Sequence, residues 1–234
     1  MTKAVFFDAG HTLLYAHPDI GTVYSEATAT FGVSLGPERF AETFVPVFKE
    51  TTRIYSQTKT ASDSQDLEMW RDITRRIYDR LPALAGIRFE SWFEKLYRRF
   101  GEPDVWRFYD DVEAVLGALR AKGLTIGVVS NWDTRLKIIC DGLGLTRLVD
   151  FIVISAEVGV RKPDPGIFRM ALEKAGVRPE DAIHVGDLPE EDCEGARRAG
   201  ITPLLIDRRK RITPAALPSD VRVVNSLSDL LSLL

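Results

Sequence analysis

Four short clusters hold the residue types that attack on an ester needs: Asp8 through Leu14, Ser130 through Asp133, Val160 through Pro165, and Gly186 through Asp192. Asp8 is the best candidate for a reacting atom. A carboxylate that attacks a phosphate ester approaches another anion, so the site must supply cations to offset repulsion and to stabilise the transferring oxygens. Asp8 and Asp187 offer hard oxygen ligands of the kind Mg²⁺ prefers, and Asp192 can complete or orient such a site through water. Lys162 can hold a phosphoryl group as a point charge while Ser130 donates a hydrogen bond to it. Backbone N–H groups around Ala9, Gly10 and Asn131 add donors. Attack by Asp8 then gives an aspartyl-phosphate that water hydrolyses.

Each residue also has a plainer role open to it. An Asp after a strand is commonly a turn former or helix cap. Ser130 and Asp133 can cap a following helix, which is the favoured reading for Asp133. A loop lysine is usually solvated, Asp187 after a glycine can be a turn residue, and Trp132 more often packs than stacks on a substrate.

The elements that must position these clusters are legible from periodicity. Ala4-Val5-Phe6-Phe7 reads as a buried strand that gives way at Gly10 to a tight loop. From Pro103 onward strand and helix alternate: helix 112–122, strand 124–129, helix 134–143, strand 151–154, a helix begun by Asp164 as cap and Pro165 and ended before Gly176, and strands 182–185, 203–206 and 221–224, with a terminal helix at 228–234. This alternation predicts a parallel sheet covered on both faces. All four clusters follow strands, so the sheet gathers them at one edge, where open α/β sheets bind ligands. Residues 16–100 break the rhythm. Phe40, Phe44, Val47 and Phe48, then Leu67, Trp70, Ile73 and Ile77, then Phe89, Trp92, Phe93, Leu96 and Phe100 recur at helical spacing. Their aromatics read as a core of their own, and Pro46 is expected to kink or split its helix.

Composition narrows the function classes. The 234 residues carry 31 basic and 34 acidic side chains, a net charge of -3, and so no field that favours nucleic acid or an anionic membrane. The basic run Arg208-Arg209-Lys210-Arg211 is short and reads as a solvated loop. Cys140 and Cys193 have no CxxC spacing or neighbouring His, which argues against a disulfide framework or a zinc site and for reduced, cytoplasmic thiols. No signal peptide is expected at Met1, and no apolar stretch approaches the roughly 18 residues that span a bilayer.

In these residues the sequence resembles the haloacid dehalogenase (HAD) superfamily, whose pattern is a nucleophilic Asp in DxDx[TV], a later Ser or Thr, a Lys, and a GDxxxxD-type acidic motif. Asp8 with Thr12, Ser130, Lys162, and Asp187 with Asp192 match it. The stretches Ser155 through Phe168 and Gly186 through Gly200 look like those of the subfamily with a helical cap inserted after the first strand, and within it the sequence resembles the branch of HAD-like hydrolase domain-containing 3 proteins. The resemblance implies a Rossmann-like doubly wound α/β core (1–15 and 101–234) with an inserted all-helical cap domain (16–100). It implies a Mg²⁺-dependent phosphoric monoester hydrolase for a small phosphorylated metabolite, with Asp8, Ser130 and Lys162 catalytic, with Ser130, Asn131 and Lys162 holding substrate, and with Asp8, Gly10, Asp187 and Asp192 at the metal. A monomer or homodimer is expected, without nucleic-acid or membrane partners.

One position departs from the family. Phosphatases of this superfamily usually place a second Asp, a general acid and base, two residues after the nucleophile, where this chain has Gly10. The family's metal ligand there is the backbone carbonyl, which glycine retains. Proton transfer to the leaving group is what is lost, and it is worth on the order of 10²–10⁴-fold. His11, titratable near neutrality, is a candidate surrogate. Two other readings stay open. A dehalogenase-like hydrolase forming an ester at Asp8 leaves the acidic motif without purpose, and such enzymes typically carry Tyr at position 10. A non-catalytic member would bind a phosphorylated ligand or a partner protein through the helical insertion.

Overall fold

Ala4–Phe7 forms β1 with all four side chains fully buried. The reason is topological: β1 lies inside a six-stranded sheet of order β5-β4-β1-β6-β7-β8 and is flanked on both edges and both faces. The structure is a computed structural model that describes residues 1–55, 58, 60–212, 217, 218 and 221–234. The other strands are β4 (Thr125–Ser130), β5 (Phe151–Ile154), β6 (Ala182–Gly186), β7 (Thr202–Ile206) and β8 (Arg222–Val224). Every pairing in this sheet is parallel, so its strands read as apolar runs. The α/β class and the doubly wound parallel sheet agree with the sequence.

Alternate residues of β1 feed two apolar layers. Val5 and Phe7 pack with Val115, Leu116 and Leu119 of α5 (Val112–Ala121) and with Leu136 and Ile139 of α6 (Arg135–Leu143). Ala4 and Phe6 face Ile167, Phe168 and Ala171 of a helix at Pro165–Ala175. That helix begins as predicted: Asp164 Oδ1 accepts from the Gly166 amide at 2.8 Å, Pro165 opens the first turn, and Gly176 ends it at φ 63°, where a side chain would be strained.

Between β1 and the rest of the sheet the chain builds α1 (Ile20–Ala29), α2 (Pro37–Tyr55), α3 (Asp63–Arg80) and α4 (Phe89–Arg99). Their apolar faces close on one another around Phe40, Ile73, Ile77, Trp92 and Phe93, a cluster separate from both sheet layers. The Trp92 indole donates to Thr28 Oγ1 at 2.9 Å, which satisfies the one polar atom it buries.

Several expectations change. Helix α2 runs unsplit through Pro46, and Leu67 is 38% exposed, outside the apolar face it was assigned to. The terminal segment is a 3₁₀ turn at Leu227–Ser232, capped reciprocally by Ser226 and Asp229, because the short apolar stretch has one face to bury. An antiparallel ribbon of β2 (Leu14–Ala16) and β3 (Trp106–Phe108) joins the two ends of the helical insertion. Three-residue strands paired across such a separation leave no readable period. No helix among the described residues is long and apolar enough to cross a membrane.

Candidate active site

The sheet register brings the clusters together. Phe7 pairs with Val128 on one side and Val185 on the other, so Asp8 emerges level with the ends of β4 and β6. Its amide donates to the Val185 carbonyl at 2.9 Å, which fixes the first residue of the loop. Ser130 is the last residue of β4 rather than the first of a loop, and Asp187 directly follows β6. Asp192 lies on a π-helical turn at Pro189–Glu194, an irregular backbone often found at functional positions. Gly186 is required for its approach: a Cβ there would lie 2.1 Å from Asp192 Cγ.

Lys162 is 2% exposed and organises the site. Its Nζ donates to Asp8 Oδ1 and to Asp192 Oδ1, both at 2.6 Å, and Ser130 Oγ donates to Asp8 Oδ1 at 3.1 Å. Asn131 braces the lysine, its Oδ1 accepting from the Lys162 amide at 2.8 Å and its Nδ2 donating to the Lys162 carbonyl at 2.9 Å and to Glu191 Oε2 at 2.8 Å. Oxygens of Asp8, Asp187 and Asp192 lie within 4.8 Å of one another.

The charges are strongly perturbed. Burial disfavours the Lys162 ammonium, yet Asp192 and Asp8 more than offset this and hold its pKa above the ordinary value. Burial pushes Asp8 upward against the pull of Lys162. Burial also opposes charge on Asp192, but Lys162 and His184 outweigh it and hold that carboxyl below the usual range. Asp187 is pushed up to about 8 by burial and by the nearby Asp8 and Asp192. Three carboxylates therefore face a single ammonium, whose pull on Asp187 is outweighed by burial and by the other two. A divalent cation fits this donor set, since hard oxygens that repel one another are what Mg²⁺ binds.

Gly10 sits under Trp132, whose Cζ3 would be 3.4 Å from an added Cβ. His11 adopts the left-handed region at φ 56°, held by its amide donating to the Leu14 carbonyl at 2.7 Å. Its ring lines a cavity of about 220 Å³ with Tyr15, Tyr109, Arg208 and Arg209. Burial and then the Arg209 charge lower its pKa against the opposing pull of Asp8. Thr12 is buried, with no partner for its hydroxyl among the described residues, while its carbonyl accepts from Arg208. The N-cap of α6 is Thr134, without a side-chain cap, rather than Asp133, which accepts from the Arg135 amide at 3.0 Å and grips the Arg135 guanidinium.

Three participants escape sequence reasoning. His184 Nε2 lies 2.9 Å from Asp192 Oδ1, and burial lowers its pKa; a single polar residue in an apolar strand was its only signal. Glu191, pushed up to about 7 mainly by burial, was hidden in an acidic run. Arg208 is no solvated loop residue: it pairs with Asp111 at 2.9 Å and lies 3.8 Å from the Tyr109 ring centre, while Arg209, Lys210 and Arg211 are exposed as expected.

Residues 2–200 match the family of haloacid dehalogenase-like hydrolases. The chain is 39% identical to a phosphoserine phosphatase of Thermus thermophilus, covering 94% of this chain and 95% of that one. It is 30% identical to human haloacid dehalogenase-like hydrolase domain-containing protein 3, covering 94% and 86%. Its fold is similar to that of the L-2-haloacid dehalogenase of Xanthobacter autotrophicus, with TM-score 0.72, 22% identity, and 100% and 98% of the two chains covered. A carboxylate at the end of β1, a buried lysine opposite it and an acidic pair after β6 thus occur in a chain whose sequence and fold agree: it belongs to the haloacid dehalogenase-like hydrolases.

Proposed function

We propose that this hydrolase is a Mg²⁺-dependent phosphomonoesterase that acts on a small phosphorylated metabolite through an aspartyl-phosphate at Asp8. The observation that carries the reading is Lys162 Nζ at 2.6 Å from Asp8 Oδ1, with the carboxylates of Asp187 and Asp192 grouped around the same point. An ammonium so placed can exchange one of its carboxylate partners for a phosphoryl oxygen and neutralise charge as it develops. Phosphatase-named relatives support the same class of substrate.

Asp8 attacks phosphorus in line, and the leaving-group oxygen departs on the opposite side. Ser130 and Lys162 hold the phosphoryl oxygens, and Asn131 keeps Lys162 in place. Asp8, the Gly10 carbonyl and Asp187 would hold Mg²⁺, with Asp192 orienting the site through Lys162 and the Leu188 amide, which donates to Asp192 Oδ2 at 2.9 Å. When bound, the cation lowers the repulsion between Asp8 and the substrate. Water then cleaves the aspartyl-phosphate and returns Asp8. Gly10 offers no acid for the departing oxygen, so the reading favours esters with good leaving groups. Helices α1–α4 act as a cap, residues 16–100, on a core of 1–15 and 101–234; their separate apolar cluster supports this division.

Hydrolysis of p-nitrophenyl phosphate with Mg²⁺ or with chelator tests the proposal. Turnover should require the metal and vanish in Asp8→Asn. Metal-independent turnover, or turnover indifferent to that substitution, would sink it.

A further inference from the structure

The start of α3 and the residues just before it hold two of the loops that build the site, those of Lys162 and Ser130. Thr60 bridges Val160 in antiparallel fashion, and the Ala61 amide donates to the Gly159 carbonyl at 3.1 Å. Arg161, the residue before Lys162, donates from Nε to the Thr60 carbonyl at 3.2 Å and through a terminal guanidinium nitrogen to Asp66 Oδ1 at 2.8 Å. The Arg161 and Asp66 side chains are 8% and 5% exposed. Three residues earlier, Asp63 accepts from the Thr134 amide at 2.8 Å and from the Thr134 hydroxyl at 2.9 Å, four positions beyond Ser130.

We propose that Asp66 and Asp63 are positioning residues, a clasp through which docking of the helical insertion sets Lys162 and the Ser130 loop in register with Asp8. A buried ion pair adds little net stability, and its best-attested use is to fix register. Here it fixes the register of residues 60–66 against 159–162. Lys162 must place one nitrogen between two carboxylates, and a displacement of 1 Å is enough to cost reaction rate. The helical insertion and the ammonium therefore share one equilibrium. Opening the clasp loosens the site even though no reacting group is altered.

The kinetic part of this proposal rests on the phosphatase reading; the structural part does not. Amide hydrogen exchange is compared in the wild type, in Asp66→Asn, and in the double variant Asp66→Leu with Arg161→Met, which replaces the buried pair by apolar groups and so protects the fold. Exchange at Ala61 and Lys162 should rise at least about tenfold in both variants while β1 and β4 stay protected. Turnover of p-nitrophenyl phosphate should fall about 10- to 100-fold. Global destabilisation would raise exchange everywhere and fail to produce the local pattern. Unchanged exchange at Ala61 and Lys162 in the double variant overturns the clasp, as does a local rise that leaves turnover intact. A wild type inactive on the ester defeats the phosphatase reading, and the exchange result still decides the clasp.

Discussion

Gly10 decides how far the chemistry can go, because it occupies the position at which the family usually places its acid. An Asp there would carry its Cβ 3.4 Å from Trp132, an ordinary contact, and the backbone needs no unusual angle. Gly10→Asp is therefore expected to fold and to raise turnover of alkyl phosphates by about 10²-fold or more, with less gain for aryl phosphates; steady-state rates on the two ester classes decide it, and equal effects would argue against a missing acid. A second expectation concerns Asp187, whose carboxyl is pushed up to about 8 by burial and by the neighbouring Asp8 and Asp192. A cation must displace that proton, so apparent Mg²⁺ affinity should fall about tenfold per pH unit below this value. An unfolded Asp titrates near ~3.9, so the stability this group contributes is fully present below about pH 4 and is lost as pH rises toward 8. Melting temperatures between pH 5 and 8.5 should decline in chelator and flatten with Mg²⁺. Similar curves under both conditions would remove Asp187 from the metal site. Asp8 and Asp187 were legible because motif and strand end coincide, and Lys162 from its motif alone, since the helical turn Ser155–Val158 separates it from the end of β5. His184 was not: its partner Asp192 lies along a π-helical turn whose path no periodicity announces.

At the scale of elements, Asp111 ties three of them together. It caps no helix through its side chain. Instead it pairs with Arg208 after β7 and accepts from Ser226 Oγ at 2.7 Å and the Leu227 amide at 2.8 Å, at the head of the 3₁₀ turn. Burial opposes its charge, but these donors outweigh it and hold its pKa below the ordinary carboxylate value. The stability it contributes is thus present above the unfolded pKa near ~4 and lost as pH falls through the depressed folded pKa. Asp111→Asn should destabilise the protein by roughly 1.5–3 kcal/mol at pH 7 and flatten the loss of stability below pH 4, read from denaturant melts across that range. An unchanged acid limb would show that Asp111 titrates as in the unfolded chain. Strands and long helices were readable from apolar period. The β2–β3 ribbon and the terminal turn were not, since three paired residues or one short buried face carry too little pattern.

At the scale of the molecule, the apolar clusters are separate, so damage to one should leave the other standing. Trp92 is fully buried at the centre of the helical cluster. Trp92→Ala is expected to cost about 3–5 kcal/mol and to raise amide exchange through α1–α4 while β1, β4 and β6 keep their protection; equal loss in both regions would mean that they unfold as one unit. The order of the sheet has another consequence. Strand β1 is made first, but its two neighbours are β4 and β6, whose first residues pair with Ala4 from positions 125 and 182. During synthesis the apolar segment Ala4–Phe7 has no sheet neighbour until β4 is made, and one of its backbone edges stays unpaired until β6 follows. Unpaired apolar edges are where chains stick to one another. Chains truncated before β6 are therefore expected to aggregate more readily than the whole chain, as light scattering would show, and the strand that carries the proposed nucleophile is also the one that most needs shielding while the chain is made.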